Sequence, residues 1–167
     1  VSVEYFSMCN RLVSRNVFER NVILPFEGVN MWDDVGLCTR VRFYTRGTAV
    51  INKGFYHYNR QNEQSTTRRP LLERAREQEL CISCIEDFFR KEDSHDKYRL
   101  FLSYLRLVAA EDLFYYEPDI WRQKFEGLKD DLWKLRKLYT TKQLFKFYML
   151  GCGGIIGKLV WKRFWKR

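Results

Sequence analysis

The residue pair with the clearest chemical potential is Cys81 and Cys84, which form a CxxC motif. This spacing can bind zinc together with a second ligand pair, or it can form a redox-active disulfide. No second pair lies at zinc spacing, and His57 and His95 have no cysteine or serine at a diagnostic distance in the sequence. Because residues three apart share a helix face, we interpret both cysteines as core or helix-contact residues. A metal or redox site is the alternative.

A glycine-rich run that ends in lysine, Gly151–Lys158, invites comparison with phosphate-binding loops. A P-loop ending at this lysine would need glycine where the chain has Cys152, and serine or threonine where it has Leu159. A dinucleotide-binding GxGxxG would need glycine in place of Ile156. Both motifs fail. We therefore predict no nucleotide, cofactor or metal site and no enzymatic activity.

The same run lies in a tail with an unusual charge distribution. Residues 132–167 contain ten Lys and Arg and no Asp or Glu, whereas the rest of the chain is nearly charge-balanced. Residues 144–161 are apolar and would extend about 27 Å as a helix, close to the roughly 30 Å of a bilayer's hydrocarbon core. A basic, acid-free apolar terminus indicates membrane attachment. We predict a spanning helix, with a tilted interfacial helix and a buried soluble helix as alternatives.

Three features of the tail refine this prediction. Thr140 and Gln143 match a capping box at the start of the helix. Glycines four apart let a second helix approach closely in lipid, so we predict a helix contact at Gly153, Gly154, Ile156 and Gly157. Basic and aromatic side chains are typical of the membrane interface, where lysines within the span can also extend. The residues predicted there are Lys146, Lys158, Trp161, Lys162, Arg163, Trp165, Lys166 and Arg167.

Upstream of the tail, the period of the apolar residues predicts a mainly α fold. Amphipathic helices are predicted at 70–91, 94–114 and 119–139, and a helical pattern also occurs within 1–24. Glu126, Asp130 and Asp131 alternate with lysines, which predicts a solvated helix face. The chain is thus predicted to have a mostly helical soluble body, 1–139, and a membrane-associated helix with a basic end, 140–167.

Residues 37–69 differ from the rest of the body. Val41, Phe43 and Thr45 alternate with other side chains, which predicts a short extended or hairpin segment within an arm or loop. The residues expected to contact a partner from this arm are Arg40, Arg42, Tyr44, Arg46, Tyr56 and Tyr58. They would be interface anchors for a protein, or they would stack on bases and bind phosphates of RNA. The near-neutral body favours protein.

The tail also resembles a known family. Phe147-Tyr148 followed by Gly153-Gly154-Ile155-Ile156-Gly157-Lys158 resembles the terminal transmembrane motif of subunit g of the mitochondrial F1Fo ATP synthase, and Thr141-Lys142 resembles the entry to that helix. The resemblance covers about 20 of the 167 residues. The chain departs from the family at Gly154, where an acidic residue is usual, in the distance from the aromatic pair to the glycines, and in its greater length.

The resemblance implies a non-catalytic, supernumerary subunit in the Fo region that supports assembly, dimerisation and membrane shape in the mitochondrial inner membrane. The expected partners are other subunits and membrane lipid, and a bound lipid such as cardiolipin is the only candidate ligand. The alternatives are an accessory subunit of a respiratory-chain complex, a mitochondrial ribosomal protein with an rRNA-contacting tail and arm, and an enzyme at a membrane surface.

Overall fold

The computed structural model describes residues 6–57, 70–116, 122–123, 126–152 and 159, and these residues are mainly helical with no β-strand among them. The predicted mainly α fold class is confirmed. Six α-helices whose bounds fall within the described residues are numbered here in chain order, and a short 3-10 helix, Arg136–Leu138, precedes the last. They are α1 Arg15–Asn21, α2 Asp33–Tyr44, α3 Leu71–Lys91, α4 His95–Tyr116, α5 Lys129–Lys134 and α6 Thr141–Cys152.

The centre of the fold is the pair formed by α3 and α4. The turn between them, Glu92–Ser94, is closed by the Ser94 N–H, which donates to the Phe89 carbonyl at 2.9 Å, while Asp93 takes a left-handed conformation with φ of 48°. A connection this short makes the two helices antiparallel neighbours. The helices predicted at 70–91 and 94–114 are therefore confirmed.

An aromatic cluster fills the space between α2, α3 and α4. The rings of Phe89 and Tyr98 stack with centroids 4.3 Å apart, and Phe43 of α2 meets Phe88 edge-on at 5.2 Å. Such ring pairs add specific geometry to a large buried apolar area. The buried members of this aromatic cluster are Val29, Val35, Cys81, Ile82, Ile85, Phe89, Leu102, Leu105 and Ala109, with Phe6, Phe26, Trp32, Phe43, Phe88, Tyr98, Phe101 and Tyr104 packed around them.

A second group, the C-terminal cluster, joins α3 and α4 to α5 and α6. Its buried members are Ala75, Leu107, Leu128, Leu132, Leu135 and Phe147, and Tyr104, Tyr139 and Leu144 pack against it. Tyr104 contacts both clusters. Because α6 supplies part of this cluster, the described residues form one packing unit across the predicted boundary at residue 139.

The prediction of an extended or hairpin segment is wrong for residues 37–44, which form most of α2. The two acidic residues in its first turn, Asp33 and Asp34, suit the positive end of a helix. Residues buried in α2 lie on several sides, so the sequence shows no clear apolar stripe with a helical period. Residues 45–57 are irregular, as a loop would be, and 58–69 lie outside the described residues.

The helix predicted at 119–139 is also shorter than expected. Residues 122, 123 and 126 are helical, a turn at Gly127 and Leu128 interrupts the predicted helix, and α5 gives way to the 3-10 helix before Tyr139, which is extended. Glycine weakens a helix, and Thr140 must be non-helical to cap α6. The inward stripe nevertheless holds, because Leu132 and Leu135 are buried. Helix α1 likewise covers only part of the pattern within 1–24.

Candidate interaction site on the C-terminal helix

Helix α6 begins at a capping box, as predicted. The Thr140 N–H donates to Oε1 of Gln143 at 2.9 Å, and the Gln143 N–H donates to Oγ1 of Thr140 at 3.3 Å. These reciprocal bonds satisfy backbone donors that a helix start would otherwise leave without an intrahelical partner. The first helical residue is therefore fixed at Thr141.

One face of α6 is held by the body of the protein. Phe147 is only 4% exposed and lies in the C-terminal cluster, where its ring meets that of Tyr139 edge-on at 5.3 Å. Leu144, one turn earlier, packs on the same cluster. Residues three apart share a helix face, so this face of α6 is already occupied by its own chain.

Lys146 is buried as well, with 6% of its surface exposed. Its Nζ lies 5.7 Å from the centroid of the Phe147 ring, within cation–π range. A lysine that extends to a membrane interface would have its ammonium group outside the protein interior. Lys146 is therefore buried in the described part of the chain, and its place at a membrane interface stays a prediction. Among the described residues, no helix has both the length and the apolar character needed to cross a bilayer.

An adjacent face of α6 is aromatic and exposed. Phe145 is 54% exposed and Tyr148 is 38% exposed, at a spacing of three residues that places them on one face. Leu159, further along the chain, is exposed too. This exposed aromatic face belongs to a helix whose other face is fixed, which makes it the clearest candidate for an interaction site.

A buried carboxylate holds α5 against α4 beneath this site. Oδ2 of Asp131 accepts hydrogen bonds from Nη1 of Arg99 at 2.8 Å and from Oγ of Ser103 at 2.7 Å. Its Oδ1 accepts no hydrogen bond in the described part of the chain, and Nζ of Lys134 lies 3.7 Å away. Asp131 is thus a buried interhelix contact, which corrects the prediction of a solvated face at this residue. The surface pair of Glu126 with Lys129 does fit that prediction.

A second carboxylate, Glu86, joins α3 to α4 on the other side of the pair. Its Oε1 accepts a hydrogen bond from Nη2 of Arg90 at 2.7 Å and lies 3.2 Å from Nε2 of His95, while Arg106 binds Oε2. Burial acts to raise the pKa of Glu86, but the hydrogen bonds and cationic charges outweigh it and lower the pKa. Sequence spacing suggests only the Arg90 contact, because His95 and Arg106 lie on the next helix.

The cysteines of the CxxC motif are core residues. Cys81 is fully buried and its Sγ donates to the Trp32 carbonyl at 3.2 Å, while Cys84 is half-buried. Burial raises the pKa of Cys81 to about 12 and that of Cys38 to about 11, so both remain unreactive thiols at neutral pH. No group of His, Cys, Asp or Glu within the described ranges is arranged to hold a metal ion.

The predicted arm residues divide into two groups. Arg40 is buried, its guanidinium carbon lies 3.8 Å from the Phe26 ring centroid, and its Nε donates to the Gly36 carbonyl at 3.1 Å. The Tyr44 hydroxyl donates to Oε1 of Glu92 at 2.6 Å, and burial with this hydrogen bond raises the pKa of Tyr44 to about 12. Arg40 and Tyr44 therefore lie on helix α2 and not on an extended arm, and their contact with a partner stays a prediction.

The remaining arm residues that the structure describes, Arg42, Arg46 and Tyr56, are exposed. Arg46 and Tyr44 line an open cleft of about 540 Å³ between α1 and the end of α2. The cleft is also lined by Arg20, so two cations lie beside it.

The other predicted site residues lie outside the described part of the chain: Tyr58, Gly153, Gly154, Ile156, Gly157, Lys158, Trp161, Lys162, Arg163, Trp165, Lys166 and Arg167. The predicted helix contact and the basic end thus stay predictions. No family model, no curated protein and no solved structure matches the chain.

Proposed function

We propose that this chain is a non-catalytic subunit of a large complex of the mitochondrial inner membrane, attached through the tail that begins with α6. The subunit g-like role in the Fo region of ATP synthase is the specific form of this proposal. The observation that carries it is the exposed aromatic face of Phe145 and Tyr148 on a helix that is docked on the body through Leu144 and Phe147. An aromatic face presented from a fixed helix is suited to a contact with lipid or protein.

The charge distribution supports attachment by the tail. The aromatic face of α6 lies in the stretch with ten Lys and Arg and no acidic residue, so the apolar and cationic character coincide in one part of the chain. Attachment to a membrane complex draws on both properties.

The ribosomal alternative has less support from the described residues. Arg40, one of the residues that would have contacted RNA, is buried against the Phe26 ring, and the hydroxyl of Tyr44 is hydrogen-bonded to Glu92. The proposal therefore rests on the tail and not on the arm.

The test is to purify the tagged chain from mitochondria in mild detergent and to identify its partners by mass spectrometry and native gel migration. We expect recovery with subunits of one inner-membrane complex. Replacing Gly153 and Gly157 with leucine should disrupt that assembly without lowering expression, because the closely packed helix contact would be blocked. Leucine at Gly47 and Gly54, where an added Cβ meets no atom within 4 Å, is the matched control.

Two results would contradict the proposal. One is release of the chain by alkaline carbonate together with ribosomal subunits. The other is unchanged migration of the complex when both tail glycines are replaced.

A further inference from the structure

The way in which α6 docks on the body limits how the tail can meet a membrane. Lys146 and Phe147 are buried and Leu144 is partly buried against the C-terminal cluster, so the first turns of α6 run along the body and are not surrounded by lipid. A helix that crosses a bilayer needs about 20 mostly apolar residues beyond such a point. The apolar sequence left after Tyr148, Met149–Trp161, has 13 residues, and one of them is Lys158.

The exposed face of α6 has the composition of a membrane-surface contact. Phe145 and Tyr148 are large, rigid side chains, and tyrosine in particular favours the headgroup level, where its ring is apolar and its hydroxyl is solvated. Helices that lie in the membrane plane combine such a face with an excess of cations. The tail has that excess, with ten Lys and Arg and no acid over 132–167.

This charge identifies the partner as an anionic lipid surface. A cationic segment is attracted to anionic headgroups, and the attraction grows with each basic residue. Because the segment contains no acidic side chain, no part of it is repelled by the headgroups. A protein partner would instead be expected to seal Phe145 and Tyr148 in a packed core, for which the excess of charge is unfavourable.

We infer that α6 lies in the plane of an anionic membrane surface, with the body on one side and the headgroup region on the other, and that Phe145 and Tyr148 insert into one leaflet. The inference rests on the proposed membrane attachment and specifies its geometry. In this arrangement the docked face of Leu144 and Phe147 fixes the angle at which the body sits on the membrane.

The experiment is flotation of the full chain, synthesised in a cell-free system, with vesicles of phosphatidylcholine with and without cardiolipin. We expect binding to be ~10-fold stronger with cardiolipin, because of the cationic tail. The variant Phe145→Ser with Tyr148→Ser should bind the cardiolipin vesicles ~10-fold more weakly, since it removes the inserted aromatic surface. Val50→Ser with Phe55→Ser, two exposed positions outside α6, is the matched control and should bind like the natural chain.

A C-terminal epitope tag distinguishes the geometry. In sealed vesicles with the chain bound outside, added protease should remove the tag completely, because the tail stays on the outer surface. A protected tagged fragment would show that the tail crosses, and it would overturn the inference. Equal binding to neutral vesicles, or undiminished binding of the Phe145 and Tyr148 variant, would also overturn it. If vesicles fail to bind the chain while it still copurifies with an inner-membrane complex, the inference fails and the proposed function stands.

Discussion

The aromatic cluster and the C-terminal cluster share α3 and α4 but are built differently. In the aromatic cluster the rings contact one another repeatedly, as Phe89 does with both Tyr98 and Phe101, and a buried charge, Arg40, lies on the Phe26 ring. The C-terminal cluster is mainly leucine and receives a single buried aromatic residue, Phe147, from α6, and the helices that form it carry the buried charges of Asp131 in α5 and Lys146 in α6.

This difference separates two tasks. Repeated ring contacts stabilise the helix pair, because each ring buries a large apolar area and no single pair carries the packing alone. A buried carboxylate adds little net stability but is costly to leave unpaired, so it favours one particular seating of α5 on α4. The C-terminal region, where the buried carboxylate of Asp131 must be paired, is therefore the one that positions the exposed face of α6.

The comparison is tested most strongly at Phe89. Phe89→Ala should lower the free energy of unfolding by about 3–5 kcal/mol, because it empties the centre of the aromatic cluster. Urea denaturation followed by circular dichroism measures the loss. Phe55→Ala, at an exposed position, should change it by less than about 0.5 kcal/mol. A loss below about 1 kcal/mol for Phe89→Ala would mean that the cluster is not the main source of stability.

The next effect is expected at Asp131. Asp131→Ala should cost about 2–3 kcal/mol, since it removes the acceptor of Arg99 and Ser103. If the carboxylate fixes the position of α5 and α6, the rate of amide hydrogen exchange should increase more in residues 129–149 than in α3. Ser103→Ala, which removes one of the two bonds, should have a smaller effect of about 1 kcal/mol. Equal quickening throughout α3 and α4 would contradict separate tasks for the two clusters.

Gly36 tests how tightly α2 is packed against the aromatic cluster. A Cβ at this position would lie 2.8 Å from two atoms of the Phe26 ring. Alanine would gain up to about 1 kcal/mol in helix propensity, but displacing a packed ring costs about 1–3 kcal/mol, so Gly36→Ala should be destabilising overall. Thermal unfolding measures the sign. A higher melting temperature would show that Phe26 moves aside without cost.

The capping box of α6 should give a smaller and local effect. Thr140→Ala removes the side-chain acceptor of the Gln143 N–H and should cost about 1 kcal/mol. Amide exchange in the first turn of α6 should quicken while that of α3 stays unchanged. Thr140→Ser retains the hydroxyl and should restore most of the protection. Identical exchange in the two variants would show that the cap does not hold the helix start.

The smallest effect concerns acid stability. The pKa of Glu86 is lower in the folded protein than its ordinary value of 4.5, so its contribution is present above that value and is lost as the pH falls through the folded pKa. Urea midpoints between about pH 7 and about pH 3 should fall less for Glu86→Gln than for the natural chain. Glu19→Gln, on exposed α1, is the control. If the urea midpoint of Glu86→Gln falls as much as that of the natural chain, Glu86 is not a source of this stability.

The elements that the sequence predicts well are those with one buried face. Helices α3 and α4 have long amphipathic stripes, and the start of α6 has a local hydrogen-bonding pattern in Thr140 and Gln143, so both follow from short-range rules. Helix α2 is not predicted by such rules, because residues on several of its sides are buried. The alternation of Val41 and Phe43 with other side chains is instead the pattern expected of a strand.

The site was only partly predictable, for a related reason. A pattern of alternating charge indicates a solvent-exposed face, but it does not show that Arg99 and Ser103 of another helix bury Asp131. The apolar run at 144–161 indicates attachment to something apolar, but its period does not distinguish lipid from the leucines of the same chain. Only the packed structure shows that Phe147 faces the body and Phe145 does not.

The short turn at Glu92–Ser94 has a consequence for the order of folding. It joins two long helices whose contacts are close in sequence, so the α3–α4 pair can form quickly as a local hairpin. Ala75 and Phe147, by contrast, join one cluster only after a long loop has closed, which delays the docking of α6. Helix α6 is therefore expected to be the last element to join the folded protein, so the face that meets the membrane is set in place only after the α3–α4 pair has formed.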